Sequence, residues 1–433
     1  MDRDLVALLG FVAMFGLMAL RVPIGVAMGI AGVGGFAALT GLQPGLNLLA
    51  NVPLSVLTDY NLSVIPMFIL MGAFASQSGM STELFAAGRA WLGHRRGGLA
   101  LASIAACGGF SAINGSSVAT AATMTQVALP EMRRAGYSPG FSAGLIAAGG
   151  TLGIMIPPSV IMVLYGIMTE TDITKLFAAG IIPGVMAVAF YCVVVAIVAR
   201  LRPDALPRGE RHSWGERFAS LRALWAVVVL FMFVLGGIYG GLFTVQEAAG
   251  VGAMGTLAIG MIRRRLGWVQ IKAALIGALR VSSAIMLIVV GAYLFGYFLT
   301  ITQFTQNAVD FLVHLPVGPY GVLALIMVGY LILGAVMDEL AMILLTVPIV
   351  FPAMMQLGFD PVWFGVIVVM AVTFGMICPP VGMNVFVINS IARDVPLGSI
   401  YKGTMPFIGV DVLRLLILCA FPSISLWLPG FVQ

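Results

Sequence analysis

Long apolar runs without a polar break, such as FVAMFGLMAL at 11–20 and WAVVVLFMFVLGGIYGGLF at 225–243, recur along the chain between short polar connectors. A barrel strand that crosses a bilayer alternates apolar and polar positions over about ten residues. These runs do not alternate, and they approach the roughly 20 apolar residues that a spanning helix requires. The pattern predicts an all-α polytopic membrane protein, and 433 residues leave room for about a dozen crossings.

Composition agrees with the pattern. Hydrophobic residues make up 61% of the chain and charged residues only 9%, with a mean hydropathy of +1.08, whereas soluble domains carry roughly 25% charged residues. The net charge of +5 does not mark a nucleic-acid surface, because Lys and Arg gather in connectors: Arg89 to Arg96, Arg133 and Arg134, Arg200 to Arg222, Arg263 to Arg265, and Arg393 with Lys402. Such connectors are expected in the cytoplasm. The segments 41–60, 169–175, 240–247 and 301–320 carry few or no basic residues and alternate with them if the N- and C-termini are periplasmic. The N-terminal MDRDLVALLG has no basic n-region, so residues 5–20 are expected to form a retained first span rather than a cleaved signal peptide. Cys107, Cys192, Cys378 and Cys419 are far apart and apolar in context, which suggests packing and neither a disulfide framework nor a zinc site.

The longest polar segment, residues 200–222, divides the chain into halves 1–199 and 223–433. At a fixed offset of 222, Pro130, Met132, Gly136, Pro139, Thr151, Gly153, Pro157 and Pro158 fall on Pro352, Met354, Gly358, Pro361, Thr373, Gly375, Pro379 and Pro380 without a gap. Most of these are Gly or Pro, which set backbone shape, so a duplication explains the register better than chance similarity of apolar letters. Arg133 and Arg134 have no basic counterparts, since Met355 and Gln356 occupy those places. From the Arg133 connector the chain passes five spans (about 139–168, 176–199, 223–239, 247–262 and 281–300) before the second copy begins, and an odd number inverts the second copy. Inverted repeats that meet near the bilayer midplane are a recurring plan of secondary transporters.

The repeated core reads GGTLGIMIPPSVIM at 149–162 and AVTFGMICPPVGMN at 371–384. Two prolines in succession interrupt a helix and free backbone carbonyls, and such backbone is tolerated in a bilayer only where protein buries it or it lines a wet cavity. Carbonyls at the first half-helix suit a small cation, and the N-terminus of the second half suits an anion. A plain proline kink is the alternative for either motif alone. The broken helices are expected at about 139–168 and 361–390.

Upstream of each break lies a segment too short for two full crossings, which predicts re-entrant hairpins at about 99–127 and 321–349. The first tip carries Asn114, Gly115, Ser116 and Ser117 among small residues; close helix packing accounts for the glycines and alanines but not for Asn beside two Ser. Its repeat partner is Ala335, Val336, Met337, Asp338 and Glu339. Adjacent acids at membrane depth are functional candidates, although the outer interface would also accommodate them. No Lys or Arg falls within the predicted core, so an anionic solute would meet hydroxyls and helix N-termini.

Enzyme chemistry is not indicated. His94, His212 and His314 sit in or near connectors, so no histidine stands beside a buried serine, and no G-x-x-x-x-G-K-[ST] phosphate loop occurs. An ion gradient is then the expected source of energy.

NGSSVATAAT (114–123), LPEMRRAGYSP (129–139), LGIMIPPSVIMVLYG (152–166), GGLFTVQEAAGVGA (240–253) and FGMICPPVGMNVFVINSIA (374–392) together resemble the large membrane subunit of TRAP (tripartite ATP-independent periplasmic) transporters. The resemblance runs over nearly the whole chain. It implies a bacterial inner-membrane protein with elevator-type ion transporter architecture. It also implies a small four-helix membrane subunit and a periplasmic substrate-binding protein as partners, and sodium-coupled uptake of an organic anion, typically a carboxylate. By motif, one sodium site would use Gly115, Ser116 and Ser117 opposite Gly153, Ile156 and Pro157, and a second Gly334 opposite Gly375, Cys378 and Val381. Asn114, Ser116, Ser117, Ser159, Asp338, Glu339 and Asn384 are the candidate solute-facing residues. Asn114 stands where the family often has Ser, and Cys378 where it commonly has Thr. A thiol is a poor sodium ligand, so Cys378 would offer only its carbonyl. The alternatives are a stand-alone ion-coupled carboxylate carrier, an intramembrane hydrolase using Ser116 or Ser117, and a passive channel.

Overall fold

A computed structural model of the chain describes residues 3–334 and 337–432. The first half comprises α1 (Arg3–Ala19), α2 (Ile24–Thr40), α3 (Leu42–Thr58), α4 (Val64–Gln77), α5 (Met80–Leu92), α6 (Gly98–Asn114), α7 (Ser117–Arg134), α8 (Pro139–Met155), α9 (Val160–Thr169) and α10 (Ile173–Leu201). The second comprises α11 (Trp214–Ala223), α12 (Trp225–Tyr239), α13 (Val245–Ile262), α14 (Trp268–Ile301), α15 (Phe304–Val313), α16 (Gly318–Gly334), α17 (Glu339–Gln356), α18 (Pro361–Gly375), α19 (Met383–Ile391) and α20 (Leu397–Ala420).

At the offset of 222, α1 falls on α12, α2 on α13, α5 on α15, α10 on α20, and the hairpin and broken helix α6–α9 on α16–α19. The arms interlock as a two-fold requires: α2 packs on α14 while its counterpart α13 packs on α4. One pair differs. α3 and α4 meet at a bend of 63°, whereas their counterpart α14 is one unbroken helix of 34 residues. Asp59 and Pro66 flank the bend, and the matching positions are Val281 and Ile288, which have no reason to break a helix.

Among the described residues, six helices are long and apolar enough to cross a membrane, with α8 and α9 taken as one, or eight if each of two bent pairs is one span. This is fewer than the dozen crossings expected. The hairpin limbs α6 and α16 and the half-helix α18 have 17, 17 and 15 residues, less than a full crossing, because each ends at a tip or a break inside the protein. Every residue from Ser142 to Met155 in α8 and from Val362 to Gly375 in α18 is buried. Helices apolar on all faces belong at the centre of a membrane bundle, and the arms surround them.

The basic connectors share one end of the molecule. Arg89 pairs with Glu131 at 2.9 Å, Arg133 with Asp394 at 2.7 Å, and Arg263 with Glu83. Segment 200–222, expected as a polar linker, contains α11, started by a Ser213–Glu216 capping box. α11 lies along the amphipathic α5, where the Trp91 indole N–H donates to the Arg217 carbonyl at 3.1 Å. At the opposite end Asn307 donates to Asp4 at 3.0 Å and Gln246 to Asn61 at 3.0 Å.

Candidate functional site

The two breaks explain their own chemistry. In α8 the carbonyls of Gly153 and Ile154 would be served four residues on by Pro157 and Pro158, which carry no N–H. In α18 the same holds for Gly375 and Met376 against Pro379 and Pro380. The Met376 carbonyl accepts instead from the Asn384 backbone amide of α19 at 3.0 Å, which leaves the Gly153, Ile154 and Gly375 carbonyls as the ones freed by the breaks. Both Pro-Pro bonds are cis.

Each break lies against a hairpin tip. A Cβ on Gly153 would stand 2.7 Å from the Ser116 carbonyl oxygen and 3.2 Å from the Ser117 amide nitrogen, so only glycine lets the break and the tip approach. Gly115 closes α6 with φ +62°, a left-handed conformation that glycine adopts at no steric cost, and its carbonyl accepts from the Val160 amide at 3.4 Å. Ser116 caps α7, accepting from the Ala119 amide at 3.4 Å. Ile156 is half-buried at the C-cap of α8, and Pro157 is buried. In the second copy a Cβ on Gly334 would lie 2.7 Å from the Gly375 Cα. Gly334 ends α16, and Ala335 and Val336, part of the expected tip, lie outside the described residues. Cys378 is half-buried, and the Val381 carbonyl already accepts from the Tyr401 hydroxyl at 2.6 Å. The first Pro pair is buried, while Pro379 and Pro380 are exposed.

The tips share a cavity of about 610 Å³ bounded by α4 and α14. Asn114, Gly115 and Ser116 line one wall and Asp338 and Glu339 another. The lining runs from Ile69 and Ile288 to Gln77 and Ala273, that is, toward the end with the basic connectors. Asp338 caps α17, accepting from the Leu340 and Ala341 amides at 2.9 and 3.0 Å. Glu339 is 8% exposed, and its Oε2 has no partner among the described residues. The acids therefore sit on the cavity wall, not at a wet outer interface. Three expected solute-facing residues do not reach the cavity. Ser159 is buried and caps α9, accepting from the Met162 amide at 3.4 Å, and Ser117 and Asn384 are buried against each other, with Asn384 Nδ2 donating to Ser117 Oγ at 2.7 Å.

The family model described as "Tripartite ATP-independent periplasmic transporter, DctM component" matches residues 11–424. This chain belongs to the DctM family. It is 38% identical to the C4-dicarboxylate TRAP transporter large permease protein DctM of Pseudomonas aeruginosa, over 86% of this chain and 87% of that protein. It is 32% identical to the ectoine TRAP transporter large permease protein TeaC of Halomonas elongata, over 96% and 97%. The crystal structure of the Alcanivorax borkumensis YdaH transporter, titled as revealing an unusual topology, superposes with a TM-score of 0.61 at 15% identity, covering 89% of this chain and 90% of that one. The fold is thus shared with a solved transporter, and the relatives are permeases, not enzymes. DctM-family subunits work with a small membrane subunit and a periplasmic binding protein.

In this DctM-family chain the expectation of a core free of Lys and Arg is overturned at Arg414, and the exposed Arg280 also bears on the site. Arg280 lines the tip cavity. The apolar run predicted a span beginning at 281, which left Arg280 just outside it, but α14 begins at Trp268, so Arg280 stands twelve residues in, about 18 Å along the helix. Arg414 in α20 is 1% exposed and pairs with Asp411 at 3.0 Å. Asp411 also accepts from the Tyr191 hydroxyl at 2.6 Å, and that hydroxyl lies 3.2 Å from Thr151 on α8. The signal was present in GVDVLRLL, an acid and a base three apart on one helix face.

Proposed function

We propose that the chain is the large subunit of a sodium-coupled importer that takes an organic anion, most simply a carboxylate, from a periplasmic binding protein across the bacterial inner membrane. The observation that carries this reading is the close approach of each proline-broken helix, at Gly153 and Gly375, to a hairpin tip, with both tips lining one cavity. Cations favour such carbonyl-rich helix ends, and the N-termini of α7, α9, α17 and α19 favour an anion. Sodium, a hard cation, would be held by backbone oxygens of Gly115, Ser116, Gly153 and Ile156 in the first copy and of Gly334, Gly375 and Cys378 in the second.

Arg280 supplies the fixed positive charge for a solute carboxylate, and the Asp338–Glu339 wall suits a hydroxyl or amine on the same solute. The cavity reaches toward the basic connectors, which the positive-inside rule places in the cytoplasm, so this conformation is read as inward-facing with periplasmic termini. The α6–α9 and α16–α19 units are read as one body that moves against the arms. Its packing supports this: α7 packs on α19, and α17 on α9, which joins the two units.

Reconstitution tests the function. Proteoliposomes containing this chain with its small subunit are expected to accumulate solute only when an inward sodium gradient and the loaded binding protein are both present. Uptake without added binding protein would favour a stand-alone carrier, and uptake indifferent to sodium would remove the coupling.

A further inference from the structure

On the end that carries the basic connectors, a cavity of about 480 Å³ opens between the α5–α6 connector, the last turn of α10 and the 200–211 segment. His94, Arg95, Arg96, Arg200, Arg208 and Arg211 line it, over a floor that includes Leu101 and Ala199. Its two walls are fastened by main chain. The Gly209 amide donates to the Gly93 carbonyl at 3.0 Å, Arg96 and Arg208 form an antiparallel bridge, and the Tyr137 hydroxyl donates to the Pro207 carbonyl at 3.0 Å. Leu206 is fully buried beneath them.

Five guanidinium groups around one cavity repel one another, and none of the five has a carboxylate within salt-bridge distance among the described residues. The acids of this end are engaged elsewhere: Glu131 with Arg89 and Arg134, Asp394 with Arg133, and Glu83 with Arg263. Asp204 and Glu210 belong to the same segment but do not line the cavity. His94 responds to this field. Burial, and then the charges of Arg217, Arg95 and Arg211, hold its imidazole below the usual range, and its Nδ1 lies 3.3 Å from Arg217 Nη2. Membrane sorting accounts for arginines in a cytoplasmic connector, but it counts charges and gives no reason for three separate segments to aim them into one cavity.

We propose that this cavity is a binding site for a phosphate-bearing polyanion. Guanidinium forks match phosphate oxygens in bidentate geometry, and several of them meet more than one negative charge. α10, which lends Ala196, Ala199 and Arg200 to the lining, also carries the exposed apolar residues Val193, Ile197 and Leu201, which sets the cavity at headgroup depth. The phosphates of an anionic lipid and those of a soluble polyphosphate carry the same chemistry, and binding measurements separate the two sources.

The test uses the purified full chain, stripped of lipid in detergent, at physiological salt. Cardiolipin, phosphatidylcholine and inorganic pyrophosphate are titrated separately and followed by native mass spectrometry and thermal shift. Wild type is compared with Arg96→Gln/Arg208→Gln and with Arg222→Gln/Arg264→Gln, which removes equal charge outside the cavity. We expect cardiolipin or pyrophosphate to bind wild type and the control alike, and the cavity variant about tenfold or more weakly; phosphatidylcholine should not bind. Preference for cardiolipin assigns the site to a headgroup, and preference for pyrophosphate to a soluble ligand. Should the cavity variant not fold, Arg211→Gln on the exposed segment replaces it, with a severalfold loss expected. Equal weakening in cavity and control variants, or no binding of either probe to wild type, overturns the proposal.

Discussion

Asn384, in the first turn of α19, donates from Nδ2 to the Ser117 hydroxyl at 2.7 Å and to the Ala147 carbonyl at 3.0 Å. One buried amide thus ties the second copy of the repeat to both the hairpin and the broken helix of the first. Asn384→Ala removes the side-chain partner of the buried Ser117 hydroxyl and the added donor to the Ala147 carbonyl, at a cost of about 1–3 kcal/mol. Ser117→Ala should cost less, and the double variant less than the sum, because the two residues share one interaction. Strict additivity in melting measurements would show that this bond does not join the copies.

Sodium dependence should follow the breaks. Gly153→Ala drives a methyl against the Ser116 carbonyl, 2.7 Å from where the new Cβ would stand, and should weaken apparent sodium affinity by about tenfold while the protein still inserts. Ser116→Ala removes an oxygen at the same tip together with a helix cap, and should act in the same direction. Sodium titrations of uptake decide this, and curves unchanged in both variants would place the ion elsewhere.

Arg280 makes a different prediction from the tips. Arg280→Ala should raise the solute KM by about ten- to a hundredfold and leave the apparent sodium affinity near wild type, because Arg280 lines the cavity and is not among the residues at the breaks. Arg280→Lys should restore part of the affinity, since the charge returns without the fork. A normal solute KM in Arg280→Ala would remove it from recognition.

The Asp411–Arg414 pair is buried, with Arg414 Nε and Nη1 unpartnered among the described residues. Arg414→Met strands a buried carboxylate and should cost about 3–5 kcal/mol, whereas Asp411→Leu/Arg414→Met should recover much of that loss. Thermal melts of the single and double variants test this, and a double variant no better than the single would assign the pair a role beyond neutralising each other.

If α6–α9 and α16–α19 move as one body, labels at 116 and 334 should keep their separation through transport, while either label should change its distance to residue 91 on α5. Comparable changes in both distances during sodium-driven uptake would instead point to the two halves rocking.

The class of fold was legible in the sequence, because burial in lipid demands continuous apolar runs and closed backbone hydrogen bonding. The repeat was legible through Gly and Pro, residues whose backbone constraints survive duplication: Gly153 and Pro157 mark the same break as Gly375 and Pro379. Local chemistry went as far as which carbonyls lose their donors. It did not give side-chain destinations. Ser117, Ser159 and Asn384 read as solute-facing polar residues, yet packing turns them inward to caps and to each other. Arg280 falls just outside the span expected at about 281–300, because hydropathy averages along the chain and cannot tell a lipid-facing helix surface from one facing a wet cavity. The cavity between the tips and the basic pocket beneath α10 are assembled from segments far apart in sequence, and only the tertiary structure decides which of their charges meet, since no local pattern encodes a distance across the fold.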